Sequence, residues 1–134
     1  MAHILIADDD PIIVDLMTDI LTKAGHRISC SGTGLETLHM LGLEPENASV
    51  NLPDLILLDI MMPQSDGYTV GTVIRNRERT RHIPIVIVSA LPKMNRLFDA
   101  TIKIEGFLNK PFSPEELLDK VTQVLAASKA TDKT

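Results

Sequence analysis

Five polar residues stand just past four apolar runs. Asp8 and Asp9 follow Ile4 to Ala7, Asp59 follows Leu55 to Leu58, Ser89 follows Ile83 to Val88, and Lys110 closely follows Ile104 to Leu108. The stretch LILLDIMMP, Leu55 to Pro63, is the sharpest case, because branched apolar residues lead straight into a carboxylate. An unpaired buried carboxylate is costly, so Asp59 must reach water or meet a cation. Lys110 offers a fixed positive charge. Carboxylates gathered closely repel one another and require a further cation. Oxygen donors on short side chains suit Mg²⁺, which keeps several waters and takes one or two carboxylates plus phosphate oxygens. A carboxylate beside a metal and a lysine is a possible nucleophile of the kind that forms an aspartyl phosphate. Metal, ammonium and hydroxyl would together share the charge of a transferring phosphoryl group.

These residues meet only if the runs preceding them are parallel strands ending on one edge of a sheet. The pattern supports that arrangement. Ile4 to Ala7 is a short strand. Asp10 and Pro11 read as the N-cap and first residue of a helix with Ile13, Leu16, Met17, Ile20, Leu21 and Ala24 at helical spacing, stopped by Gly25. That use of Asp10 leaves Asp8 and Asp9 as the acidic pair of the triplet. Arg27 to Ser31 alternates as an edge strand does. Thr33 and Glu36 are spaced as a capping box, opening a helix with Leu35, Leu38 and Leu41 inward. Residues 42–53, GLEPENASVNLP, read as a long loop. Leu55 to Leu58 is the third strand. Asp66 and Gly67 open a third helix with Val70, Val73 and Ile74 inward. Ile83 to Val88 is the fourth strand, Met94, Leu97 and Phe98 mark a short fourth helix, and Ile104 to Leu108 is the fifth strand. Ser113, Pro114 and Glu116 start a last helix lined by Leu117, Leu118, Val121, Val124 and Leu125.

Strands alternating with helices, joined by right-handed crossovers, make a doubly wound α/β fold. The expectation is a flavodoxin-like (βα)5 domain over residues 1–127, with a five-stranded parallel sheet in the order 2-1-3-4-5. A flexible tail is expected over 128–134. The crevice lies where the strand order reverses, between strands one and three.

Composition narrows the classes. The chain has 134 residues, 44% of them hydrophobic, and a net charge of -5, enough for one folded domain. No apolar run approaches membrane-spanning length, and the N-terminus lacks the pattern of a signal peptide. The single cysteine, Cys30, permits no intrachain disulfide and fits a cytoplasmic setting. The four histidines lack ligand spacing. Arg75, Arg77, Arg79 and Arg81 read as a solvated face near a helix C-terminus. With no Trp and one Tyr, a stacking platform for single-stranded nucleic acid is absent, so direct nucleic-acid binding is not expected.

The segments ILIADDDP, LILLDIMMPQSDG, IPIVIVSA and FLNKPF, in this order and spacing, resemble the response-regulator receiver domain of two-component signalling. The resemblance spans about Ala2 to Ala127. It implies that Asp59 is the phosphoacceptor and that Asp8 and Asp9 bind Mg²⁺, Asp9 more directly, with the backbone carbonyl of Met61 as a further ligand. It implies that Ser89 turns its hydroxyl toward the phosphoryl group, that Lys110 is the family lysine, joined to Pro111 by a cis bond, and that Phe107 is an aromatic switch coupled to Ser89. A histidine kinase or histidine phosphotransfer protein would donate the phosphoryl group. A downstream target protein, or an output domain absent from this chain, would read the result. Such a protein is not an enzyme acting on a separate substrate.

Some residues depart from that pattern. Met61 and Leu91 are apolar where the family's side chains flank the path of the hydrolytic water, which implies slow self-dephosphorylation. The segment ATIKIEG, Ala100 to Gly106, lacks the usual small-residue pair and acidic residue, and the loop 42–53 is long. Among competing functions, an aspartate-nucleophile phosphatase wants an acid where Met61 stands, and a flavin phosphate would be repelled by Asp8 to Asp10. A receiver-like interaction module not regulated by phosphorylation stays open at this level.

Overall fold

In a sheet covered on both sides, the central strands carry apolar residues on both faces, and alternate residues supply two separate cores. That is how the computed structural model is built. It describes residues 2–60, 62, 67–90 and 104–132, with side chains to 128. The elements in order are β1 (His3–Ala7), α1 (Pro11–Lys23), β2 (Arg27–Ser31), α2 (Gly34–Met40), β3 (Leu55–Asp59), α3 (Gly67–Asn76), β4 (Ile85–Ser89), β5 (Gly106–Asn109) and α4 (Pro114–Asp132). All strand pairs are parallel, and the sheet order is β2-β1-β3-β4-β5, as the sequence leads one to expect. The short fourth helix expected around Met94 to Phe98 lies outside the described residues.

One face of the sheet, with Leu5, Ile56, Leu58, Ile85 and Ile87, packs on Leu38 of α2 and on Val70 and Ile74 of α3. The other, with Ile4, Ile6, Leu55, Leu57, Val86 and Val88, packs on Met17 and Leu21 of α1 and on Leu117, Val121 and Val124 of α4. Every residue of β3 and β4 is buried.

Caps set the helix starts. The Asp10 carboxylate accepts from the Ile12 N–H at 3.0 Å, with Pro11 as the first helical residue. At α2, Thr33 Oγ1 accepts from Glu36 N–H at 3.0 Å, while the Glu36 carboxylate accepts from Gly32 N–H at 2.8 Å, one residue earlier than a standard box. At α4 the box is reciprocal: Ser113 Oγ accepts from Glu116 N–H and Glu116 accepts from Ser113 N–H.

The structure corrects several expectations. Leu35 is 54% exposed rather than inward. In so short a helix, Gly34, Thr37 and Leu38 occupy the buried face instead. Leu16 is likewise 43% exposed on α1. Strand β5 begins at Gly106 rather than Ile104, since Glu105 turns its carboxylate back to accept from Ile85 N–H at 2.7 Å. Helix α4 runs through Asp132, past Ala127. Of the four arginines expected to form a solvated face, Arg81 is exposed, but Arg75, Arg77 and Arg79 are tied back to the protein. Arg75 donates to the carbonyls of Arg81 and Ile83, both at 2.7 Å, and pairs with Glu105 at 2.6 Å. Its burial pulls the guanidinium pKa down, with Glu105 opposing. Arg79 donates to the Asn47 carbonyl at 3.2 Å, and Arg77 reaches the Glu44 carboxylate at 3.7 Å. Backbone carbonyls of two neighbouring loops need donors, and these side chains supply them.

Candidate functional site

The register levels the strand ends. Ala7 lies opposite Leu58, so Asp8 and Asp59 leave the sheet at the same height. Asp59 lies opposite Val88, and Ser89 opposite Asn109, which brings Ser89 and Lys110 to the same edge. Asp8, Asp9, Asp59, Ser89 and Lys110 therefore gather at one place from four strands.

Asp8 is 2% exposed and fully engaged. Its N–H donates to the Ser31 carbonyl at 3.0 Å, one carboxylate oxygen accepts from Asp10 N–H at 2.9 Å, and the other accepts from Lys110 Nζ at 2.9 Å. Asp59 is 7% exposed, with a carboxylate oxygen 3.7 Å from Lys110 Nζ. Here is the cation that the end of the LILLD strand demands, shared between two acids and nearer to Asp8. Asp9 is exposed at the mouth, and oxygens of Asp8, Asp9 and Asp59 all lie within 4.8 Å of one another. Burial would lower the Lys110 pKa. The Asp8 hydrogen bond and the charges of Asp59, Asp8 and Asp10 outweigh it and hold the ammonium above its ordinary value. One ammonium among these carboxylates leaves excess negative charge, and the donor set is all hard oxygen. That chemistry fits Mg²⁺.

Local backbone fixes the parts. Lys110 N–H donates to the Ser89 carbonyl at 2.8 Å, and the Lys110–Pro111 bond is cis. Ser89 is 2% exposed at the end of β4. Phe107 is half-buried against the core shared with α2 and α3, opposite Ile87. Met61 and Leu91 lie outside the described residues.

Three supporting residues were not legible as such in the sequence. Gly67 opens α3 with its N–H donating to the Ile60 carbonyl at 2.8 Å. A Cβ there would lie 2.7 Å from Ile60 Cα and 3.1 Å from the Asp59 carbonyl carbon. Beneath Asp8, Ser31 Oγ and Thr37 Oγ1 are buried and 2.6 Å apart. Thr37 donates to the Thr33 carbonyl at 2.8 Å, so Ser31 is the donor of the pair. A glycine after an aspartate hints at a tight start, but nothing in the sequence pairs Ser31 with Thr37.

The family model of the response regulator receiver domain matches residues 4–122. Among curated proteins, the chain is 38% identical over 133 residues to the DNA-binding dual master transcriptional regulator RpaA of Synechocystis, covering 93% of this chain and 49% of that protein. It is 35% identical over 128 residues to the transcriptional regulatory protein BaeR of Escherichia coli, covering 95% and 49%. The chain thus spans about half the length of these relatives. Among solved structures, a response regulator from Chloroflexus aurantiacus is 30% identical with a TM-score of 0.80, covering 93% of this chain and 98% of that one. A chemotaxis response regulator of Vibrio cholerae is 27% identical with a TM-score of 0.78, covering 92% and 98%.

Proposed function

Because the chain belongs to the response regulator receiver domain family, a class of two-component signalling modules controlled by phosphorylation, we propose that Asp59 is its phosphoacceptor and that Asp8, Asp9 and Lys110 serve that one residue. The observation that carries the reading is the position of Lys110 Nζ, 2.9 Å from Asp8 and 3.7 Å from Asp59. An ammonium shared in this way puts a positive charge beside the Asp59 carboxylate at the carboxyl edge of the sheet.

The step is an exchange of one bond for another. A carboxylate oxygen of Asp59 attacks the phosphorus of a phosphohistidine whose other ring nitrogen carries a proton, the phosphorus–nitrogen bond breaks with its electron pair going to nitrogen, and the imidazole leaves as the neutral ring. Asp59 becomes an aspartyl phosphate. Lys110 balances the added charge next to Asp59, and Ser89 offers its hydroxyl to a phosphoryl oxygen. Each Asp8 oxygen accepts one protein donor and keeps a lone pair, so Asp8 would be the fixed metal ligand and exposed Asp9 the freer one. Asp8, Asp9, Asp59 and the Met61 carbonyl are the groups that would hold Mg²⁺. When bound, Mg²⁺ supplies positive charge to the phosphoryl oxygens.

The donor is a histidine kinase or histidine phosphotransfer protein. The readout is a contact surface changed by phosphorylation, with Phe107 following Ser89, and acting on a target protein or an attached output domain. RpaA carries DNA binding in its name, and an output of that class suits a receiver that does not itself contact nucleic acid. Apart from accepting and slowly losing its own phosphoryl group, the domain performs no chemistry.

The test is intact mass after incubation with Mg²⁺ and a small acyl phosphate donor, for wild type and Asp59→Asn. The expected result is a phosphoryl adduct on wild type only, lost when Mg²⁺ is chelated. Failure of both a small donor and a cognate kinase to label folded wild type would favour an interaction module without phosphorylation.

A further inference from the structure

The loop that follows α2 is a built wall rather than slack chain. Leu43 and Glu46 form a bridge, Leu43 is buried in the core, and Asn47 Oδ1 accepts from both the N–H and the hydroxyl of Ser49. Arg77 and Arg79 hold the loop through Glu44 and the Asn47 carbonyl. Gly42 makes the return possible with φ of 71°, and a side chain there would meet Val50 at 2.9 Å. Between this wall and the outer face of α2 lies an open groove of about 550 Å³, lined by Thr33, Leu35, Glu36, His39, Glu44 and Pro45. Its surface is mainly apolar, centred on the exposed side chain of Leu35. Among the described residues no lysine or arginine lines it, and of its two carboxylates Glu44 is paired with Arg77 at 3.7 Å while Glu36 faces no cation.

We infer that this groove, formed by α2 and the loop 42–53, docks a segment of a partner protein that carries an apolar side chain flanked by lysine or arginine. The apolar residue covers Leu35 and Pro45, and a flanking basic group meets Glu36. Charge selects the occupant. The chain is itself acidic, with a net charge of -5, and Arg77 and Arg79 are already committed to the loop. A second copy would therefore bring like charge to an acidic groove, while a basic segment gains from it. The preformed wall lowers the ordering cost of docking. The inference concerns the flank of α2 and does not depend on the reading of Asp59.

The experiment uses unphosphorylated full chain. Random peptides displayed on phage are selected on wild type and counter-selected on Leu35→Glu, a change at an exposed position whose fold is checked by circular dichroism. The selected peptides are then titrated into ¹⁵N-labelled protein. The expected result is a basic and apolar consensus, amide shifts confined to Leu35, His39 and residues 43–48, and binding about three- to tenfold weaker for Glu36→Gln, which keeps the cap to Gly32. Peptides that depend on Leu35 but carry no net positive charge would overturn the assignment, as would a selection yielding no peptide that depends on Leu35, or a concentration-dependent dimer that buries this face.

Discussion

Gly67 packs its α-carbon directly against the carbonyl group of Asp59. The first residue of α3 can stand there only because it lacks a side chain, since a Cβ would lie 2.7 Å from Ile60 Cα and 3.1 Å from the Asp59 carbonyl carbon. Both obstacles are backbone and cannot swing aside. Gly67→Ala must therefore push β3 and α3 apart at Asp59, the proposed phosphoacceptor. We expect a stability loss of about 1–3 kcal/mol and a larger proportional loss in the rate of phosphoryl uptake. Urea denaturation and time-resolved intact mass measure the two. Uptake at the wild-type rate would mean that Asp59 tolerates the shift.

The hydroxyl pair beneath Asp8 makes a second prediction. Ser31 donates to Thr37, and the Ser31 carbonyl receives the Asp8 N–H. Thr37→Val keeps the shape but leaves the buried Ser31 hydroxyl without its partner, which costs about 1–3 kcal/mol. Ser31→Ala combined with Thr37→Val should recover part of that loss, because neither hydroxyl is then stranded. A double-mutant cycle by urea denaturation decides it. Strict additivity would show that the pair acts as two independent groups.

Much of this arrangement can be read from the chain, and the reason lies in pattern length. The LILL of β3 and the IVIV of β4 are apolar without interruption up to their terminal Asp59 and Ser89, as befits doubly covered strands. Asp10 before Pro11 announces a helix start and so separates itself from Asp8 and Asp9. What stays hidden depends on contacts remote in sequence. Leu35 looks inward by spacing, but a helix of only seven residues turns Thr37 to the core for the sake of Ser31. Arg75 looks like surface charge until Glu105, thirty residues on, closes over it while capping Ile85. The same applies to Lys110, whose nearer partner is Asp8, at the other end of the chain.

His26 gives the fold a pH dependence. Its Nδ1 accepts a hydrogen bond from Ala2 N–H at 3.3 Å, which only the unprotonated nitrogen can do. Burial, and after it the charge of the amino terminus, lowers its pKa below the ordinary 6.5. The folded state thus favours the neutral ring. Its contribution is complete above 6.5 and is lost as the pH falls through the lower folded value. Between about pH 7 and pH 5, wild type should lose more stability than His26→Gln. Urea midpoints of the two proteins across that range, with an NMR titration of the ring, provide the check. Equal losses would leave the imidazole without a role.

For the proposed aspartyl phosphate, the receiver pattern implies that lifetime follows from two side chains. Asp59 is 7% exposed at the carboxyl edge of the sheet, so hydrolysis of a phosphoryl group carried there would depend on how well a water is held in line with the phosphorus–oxygen bond. In the receiver family the positions matching Met61 and Leu91 flank that path, and a polar side chain there can orient the water by hydrogen bonding. Methionine and leucine cannot. The wild-type aspartyl phosphate should accordingly be long-lived, and Met61→Asn should shorten it by about tenfold, equivalent to ~1.4 kcal/mol of barrier. Leu91→Glu should act in the same direction. The measurement is decay of the phosphoryl adduct by intact mass after the donor is removed, with Mg²⁺ held constant. Decay unchanged in both variants would place the control of lifetime elsewhere, in access to the edge that holds Asp9 and Lys110 rather than in orientation of the attacking water.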